Sequence, residues 1–384
     1  MKFGQETLQS LSKSVDSMAK IEQKTESRIF SLLRTALLGT PADTTLFSDM
    51  NTEEWQQIYR LATDQGVLAF TYDGVKLLPE SLQPSLDIRI QWAYNVDHIE
   101  KLYAHQKAVA EKVVGFFAKN SIKTLILKGL SNSHLYPKPS HRQSGDIDIY
   151  LMGDFERGNE LIRQKGVKVK LEYFVHSEFY VKGVNIENHL HFVNPNVNRT
   201  GRYVNDKLTA LADSSLPHPI VEGALIPSAT FSALFLLRHS SWHYARESVK
   251  LRDICDWAMF LKNGCTDIDI DIDLTLQMLR ECGLYRYAAI LTTIAERYLG
   301  ISSPIAFDGD YAAISERVKD DILTFDAKKR ERRGIVATFI GKITNRISRR
   351  WCYKYVVPDG YMDNILYSIK GYLRNPLAIF KAKL

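Results

Sequence analysis

The chain has 384 residues, a formal net charge of +6, 45% hydrophobic and 24% charged residues, which suits two or three domains and excludes a disordered or fibrous chain. No run approaches the ~18 apolar residues of a spanning helix, and the polar opening MKFGQETLQS has no secretory h-region. Four scattered cysteines without a CxxC pair argue against a zinc finger or disulfide scaffold and fit a reducing, cytoplasmic setting.

Residues 1–120 read as a helical region. SRIFSLLRTALL places Ile29, Leu32, Leu33, Ala36 and Leu37 on one stripe, with Gly39 and Pro41 as stop signals. Asn51, with Glu54 three residues on, predicts a capped helix carrying Trp55, Ile58, Tyr59 and Ala62. A longer helix over about 86–119 has an apolar period that includes Ile90, Tyr94, Ile99, Leu102, Val109, Val113 and Phe117.

At 121 the period changes, opening an α/β core assigned to 121–225. Thr124–Leu127 is a short buried-strand run ending at Lys128-Gly129, followed by the short helix LSNSHLY and a Pro-rich loop. Asp146–Leu151 alternates as a strand, and FERGNELIRQK is a helix with Asp154 as cap and Gly166 beyond its end. Three β-like runs follow, VKVKLEYFV, EFYVKG and VNIENHLHF, the last two meeting at Lys182-Gly183. The helical period returns over 226–326. The tail 327–384 holds 14 Lys/Arg against 3 Asp/Glu, so the basic surplus of the whole chain lies there. The fold class expected is α+β, a small mixed sheet flanked by helical regions.

Asp146 and Asp148 carry the chemistry. Residues i and i+2 of a strand share a face, about 6.5–7 Å apart along it, so both carboxylates address one spot. Burying two like charges is costly unless a cation sits between them, and Mg²⁺ (or Mn²⁺) suits one or two carboxylates plus substrate phosphates. Glu187, on an alternating strand, is the expected third acid, to ligate a metal or take an acceptor proton. Gly129 lets the backbone approach a ligand, and the helix after it offers N–H groups to a polyphosphate. Arg142 is read two ways, as a bidentate phosphate clamp or as the partner of an acid that pins its loop.

The succession Lys128-Gly129, Tyr136-Pro137, Arg142, Gly145-Asp146-Ile-Asp148, His176 and Ile186-Glu187-Asn-His189 resembles an uncharacterised bacterial nucleotidyltransferase family (nucleotidyltransferase-like family 5) of the DNA polymerase β superfamily. The resemblance covers about 27–265. It implies a nucleotidyltransferase fold, a divalent metal on Asp146 and Asp148, and a nucleoside triphosphate donor, with Lys128, Gly129 and Ser131 handling phosphates. The phosphate loop departs from the superfamily pattern, with Leu130 directly after Gly129 and Ser131 one later. The acceptor is left open as a small molecule, sugar, peptide or protein. The alternative is an inactive nucleotide-binding or antitoxin-like partner protein of the same fold.

His239 and His243 have the i, i+4 spacing of a zinc pair, but Ser240 stands where the HExxH glutamate would be. The resemblance also implies that Asp256 pairs with these histidines. The basic amphipathic stretch in the tail is expected either to dock on the protein with its basic face solvated or to meet an anionic membrane surface or nucleic acid.

Overall fold

The computed structural model describes residues 23–172, 175–265 and 270–325, and in the tail 344, 347–355, 361–362 and 365–366. Its first helix, α1 (23–38), buries Ile29, Phe30, Leu32, Leu33 and Leu37, and Gly39 follows it at φ +71°. The expected capping box opens α2 (Thr52–Asp64): Asn51 accepts from the Glu54 backbone while the Glu54 carboxylate accepts from the Asn51 N–H. Helix α3 (Leu68–Lys76) crosses α1 so closely that a Cβ on Gly74 would stand 2.3 Å from the Leu32 carbonyl oxygen. Any other residue there forces the helices apart.

Helix α4 (Leu86–Lys119) runs 34 residues, about 51 Å at 1.5 Å per residue, with the bounds that its period predicts. Its first half buries Ile88, Trp92, Val96 and Ile99 in a large helical core; its second half packs Val109, Val113, Val114 and Phe117 under the sheet. Two cores on different sides explain why one continuous stripe does not fit. Ile90, Tyr94 and Leu102, counted in the period, are exposed.

The sheet comprises β1 (Leu125–Ile126), β2 (Ile147–Tyr150), β3 (Lys170–Glu172), β4 (His176–Val181), β5 (Val184–His189), β6 (Leu216–Pro217) and β7 (Leu225–Ile226). Its order is β3-β4-β5-β2-β1-β7-β6, with β2/β5 and β1/β7 parallel and the other pairs antiparallel. The mixed sheet and α+β class match the expectation; β6 and β7, two residues each and one containing proline, carry too little pattern to be seen in sequence. Lys182 and Gly183 both have positive φ and form the two-residue turn that joins β4 to β5.

One face of the sheet is closed by the second half of α4 and by α6 (Phe155–Gln164), through Ile147, Ile149, Ile186, Phe179 and Ile162. Period-two alternation sends Asp148, Glu187, His189, His176 and Glu178 to the other face. Beyond it lie α8 (Ala229–Glu247) and α9 (Leu251–Met259), which share their core with the N-terminal helices. Helices α7 (Arg199–Ala212), α10 (Ile272–Glu281), α11 (Tyr285–Ile294) and α12 (Ala312–Phe325) complete that core.

In the tail, α13 (Arg350–Tyr355) buries Cys352. Arg349 is buried too, donating to the Tyr244 carbonyl and pairing with Asp321 at 2.8 Å. This corrects the expectation of a solvated basic face at that residue: its charge is used internally. Residues 326–343, which hold most of the expected amphipathic stretch, lie outside the described residues.

Candidate active site

The loop that feeds β2 is clamped on several sides. His141, wholly buried, bridges Asp73 (2.6 Å) and Glu100 (2.7 Å). Gln106 of α4 donates to the carbonyls of Ser144 (3.2 Å) and Gly145 (2.7 Å), and Arg252 donates to that of Gln143 (3.2 Å). Arg142 forks onto Asp256, Nε to Oδ1 at 3.0 Å and Nη2 to Oδ2, while Tyr136 donates to Oδ1 at 2.7 Å. Of the two readings of Arg142, the fork fits the acid-pairing one. Asp256 therefore pairs with Arg142 and Tyr136, not with the histidines the resemblance implied. Burial would raise the Asp256 carboxyl, but the Arg142 charge outweighs it and holds the group below its ordinary value.

The clamped loop delivers Asp146 and Asp148, and the end of β1 delivers Lys128 and Gly129, to one cavity between the sheet and α8/α9, whose far wall includes His239, Asp253 and Trp257. Gly129 has φ +71°, a conformation that favours glycine, and a Cβ there would lie 2.6 Å from Ser144 Oγ, so that hydroxyl would have to turn aside. The helix after it, α5 (Leu130–Ser133), is a single four-residue turn. It is too short for a useful dipole, and Ser131 is buried away from the cavity lining. Ser144, opposite Gly129, lines the cavity instead.

Asp148 is 1% exposed. Its Oδ1 receives Lys128 Nζ at 3.2 Å and faces His189 Nε2 at 3.0 Å; its Oδ2 has no hydrogen-bond partner. Burial would raise this carboxyl, but Lys128 and then His189 hold it well below the usual carboxylate range. Lys128 also donates to His239 Nε2 at 2.8 Å. Burial, reinforced by that ammonium, keeps the His239 imidazole far below its ordinary pKa, hence neutral and able to accept.

In the parallel β2/β5 pair, Asp148 stands directly opposite Glu187. Ligand atoms of Asp148, Glu187 and His189 lie within 4.8 Å of one another, as do those of His176, Glu178 and Glu187. The structure thus brings together two of the three expected acids, with His189 in the third position. Asp146 lies one residue ahead of β2 and lines the cavity but belongs to neither group. A buried carboxylate with one oxygen lacking a donor, beside a second carboxylate, fits a divalent cation.

His189 belonged to the quoted motif, but Glu178 was missed from sequence, although a signal existed. Counting back from the turn at Lys182-Gly183 pairs 181 with 184 and therefore 178 with 187 and 176 with 189, as observed. His239, Arg252 and Asp253 reach the cavity only through the packing of α8 and α9, which no local pattern encodes.

Residues 51–300 match the model of a family described as an uncharacterised nucleotidyltransferase. Neither a curated protein nor a solved structure matches the chain. The match spans more than half of the sequence, and the chain belongs to that family.

Proposed function

We propose that this family member transfers a nucleoside monophosphate group from a nucleoside triphosphate to a hydroxyl-bearing acceptor in a Mg²⁺-dependent reaction. The observation that carries the reading is the buried Asp148, paired in register with the buried Glu187 behind it, at a cavity that also receives Asp146, Lys128 and Gly129. In the balanced step the acceptor oxygen bonds to the α-phosphorus, the α–β phosphoanhydride breaks, and pyrophosphate leaves with the electron pair. Asp148 and Glu187, with Asp146 alongside, would hold the cation, whose charge would offset that of the phosphates and polarise the acceptor oxygen.

The chain's own groups account for the rest. Lys128, half-buried between Asp148 and His239, has its ammonium at the cavity wall, where phosphate oxygens would compete for it. Gly129 lets the backbone come close. A carboxylate, Glu187 or Asp146, takes the acceptor proton. The acceptor class stays open among small molecules, sugars, peptides and proteins. No helix among the described residues is long and apolar enough to cross a membrane, and a cytoplasmic location is part of the same proposal.

Labelled nucleoside triphosphates, Mg²⁺ and a cell-extract acceptor pool test the reading: label should move to an acceptor with release of pyrophosphate. A second reading, nucleotide binding without turnover, is favoured by one feature: Lys128 already neutralises Asp148 and Arg142 is held by Asp256. Tight binding with no transfer would select it. If Mg²⁺ and nucleotide leave the melting temperature of the wild-type chain unmoved, both readings fall.

A further inference from the structure

We infer that the β4–β5 hairpin carries a second cation seat, built by His176, Glu178 and Glu187, that takes a borderline first-row dication such as Mn²⁺ or Zn²⁺. His176 Nε2 lies 3.6 Å from Glu178 Oε1 and 3.9 Å from Glu187 Oε2. Those separations are too long for direct hydrogen bonds. They lie close to the roughly 3.0–3.6 Å between neighbouring ligands of one ion bound at about 2.0–2.2 Å. All three ligand atoms fall within 4.8 Å of one another.

The register explains why they meet. Glu178 is the cross-strand partner of Glu187, and His176 that of His189, with the two imidazoles 5.5 Å apart. Two carboxylates directly opposite on one face repel each other unless a cation lies between them. Lys170, itself half-exposed, reaches Glu178 only at 3.6 Å while contacting Glu172. One nitrogen and two carboxylates form a harder donor set than a zinc-finger site, yet the imidazole favours Mn²⁺ or Zn²⁺ over Mg²⁺.

An independent observation lies next door. Glu187 also belongs to the group with Asp148 and His189, where Asp148 Oδ2 is buried with no hydrogen-bond donor. There His189 Nδ1 meets the His191 carbonyl at 3.2 Å, the outer contact that commonly orients an imidazole so that its other nitrogen can ligate. Glu187 thus stands between two places for a cation. None of His176, Glu178 and Glu187 lines the cavity, so the outer ion positions Glu187 and the hairpin and does not touch nucleotide.

The test uses the full chain, stripped with chelator and titrated with Mn²⁺, then Zn²⁺, in excess Mg²⁺, with bound metal read by equilibrium dialysis and Mn²⁺ by electron paramagnetic resonance. One Mn²⁺ or Zn²⁺ per chain should bind despite the Mg²⁺, weakened about tenfold or more by Glu178→Gln and unchanged by Asp148→Asn. His176→Gln provides a second variant, and circular dichroism checks that each is folded. No retained Mn²⁺ or Zn²⁺, or affinity indifferent to both hairpin variants, overturns the inference. Absence of nucleotidyl transfer with this binding intact would count against the proposed reaction alone.

Discussion

Two buried aspartates face the same cavity and are partnered in opposite ways. Asp256 has both oxygens engaged, by the Arg142 fork and the Tyr136 hydroxyl. Asp148 concentrates Lys128 and His189 on one oxygen and leaves the other without a donor. Both carboxylates are held ionised below their ordinary range, by a guanidinium in one case and an ammonium in the other. The difference is saturation: a completed fork ties α9 to the loop before β2, whereas an unfilled carboxylate oxygen has capacity for a ligand.

The sharpest way to break that contrast is to neutralise each acid in turn. Asp148→Asn is expected to lower nucleotidyl transfer by about 10²–10³-fold, the scale of losing one electrostatic contact to the reacting centre. It should also abolish Mg²⁺-induced thermal stabilisation with the metal-free melting temperature little lowered. A variant that keeps its Mg²⁺ shift would remove Asp148 from the metal role.

Asp256→Asn should behave the other way. Breaking one partner of a buried pair costs about 3–5 kcal/mol, so chemical denaturation should show a large loss of stability with the Mg²⁺ shift retained in the folded fraction. Equal stability of variant and wild type would undo the assignment of Asp256 as a tie. Arg142→Lys sharpens the same point, because an ammonium cannot reproduce the fork.

Gly129→Ala follows, with an expected destabilisation of about 1–3 kcal/mol from the left-handed φ and the approach of Ser144. Nucleotide affinity should weaken beyond that of a variant equally destabilised elsewhere; parallel losses would make the glycine purely structural.

The smallest effect is acid sensitivity remote from the site. Burial, and then the nearby His134, push the His218 imidazole down to about 4. Its Nδ1 accepts from the backbone N–H groups of Ile220 and Val221, which requires the neutral ring. The unfolded chain takes up a proton near pH 6.5 while the native one resists until about 4, so stability declines as pH falls through that window. Asp256 and Asp73, both depressed, keep their contributions above the unfolded carboxylate pKa and lose them only on further acidification. Denaturation midpoints measured from pH 7 to 4 should fall, and His218→Asn should flatten the upper part of the curve. An unchanged wild-type midpoint would contradict the assignment.

Much of the fold was legible in residues close together in the chain. The Asn51/Glu54 box, the bounds of α4, the Asp146–Leu151 strand and the Lys182-Gly183 turn each arise from bonds or periods spanning a few residues. Of the site, the β2 acids and Glu187 were visible as residues on alternating strands. Which face each would take, and the partner of Arg142, were not, because that partner lies 114 residues away.

Local chemistry therefore set which segments become helices and strands, where they stop, and which acids share a strand face, since backbone hydrogen bonding and side-chain alternation act over one turn or one pleat. Tertiary packing alone decided that β5 lies parallel to β2, with Glu187 opposite Asp148, that α4 divides its buried side between two cores and leaves Ile90 and Tyr94 in water, and that Arg142 meets Asp256. Those outcomes depend on burial of apolar area and pairing of charge between distant segments, and neither quantity exists until the segments meet.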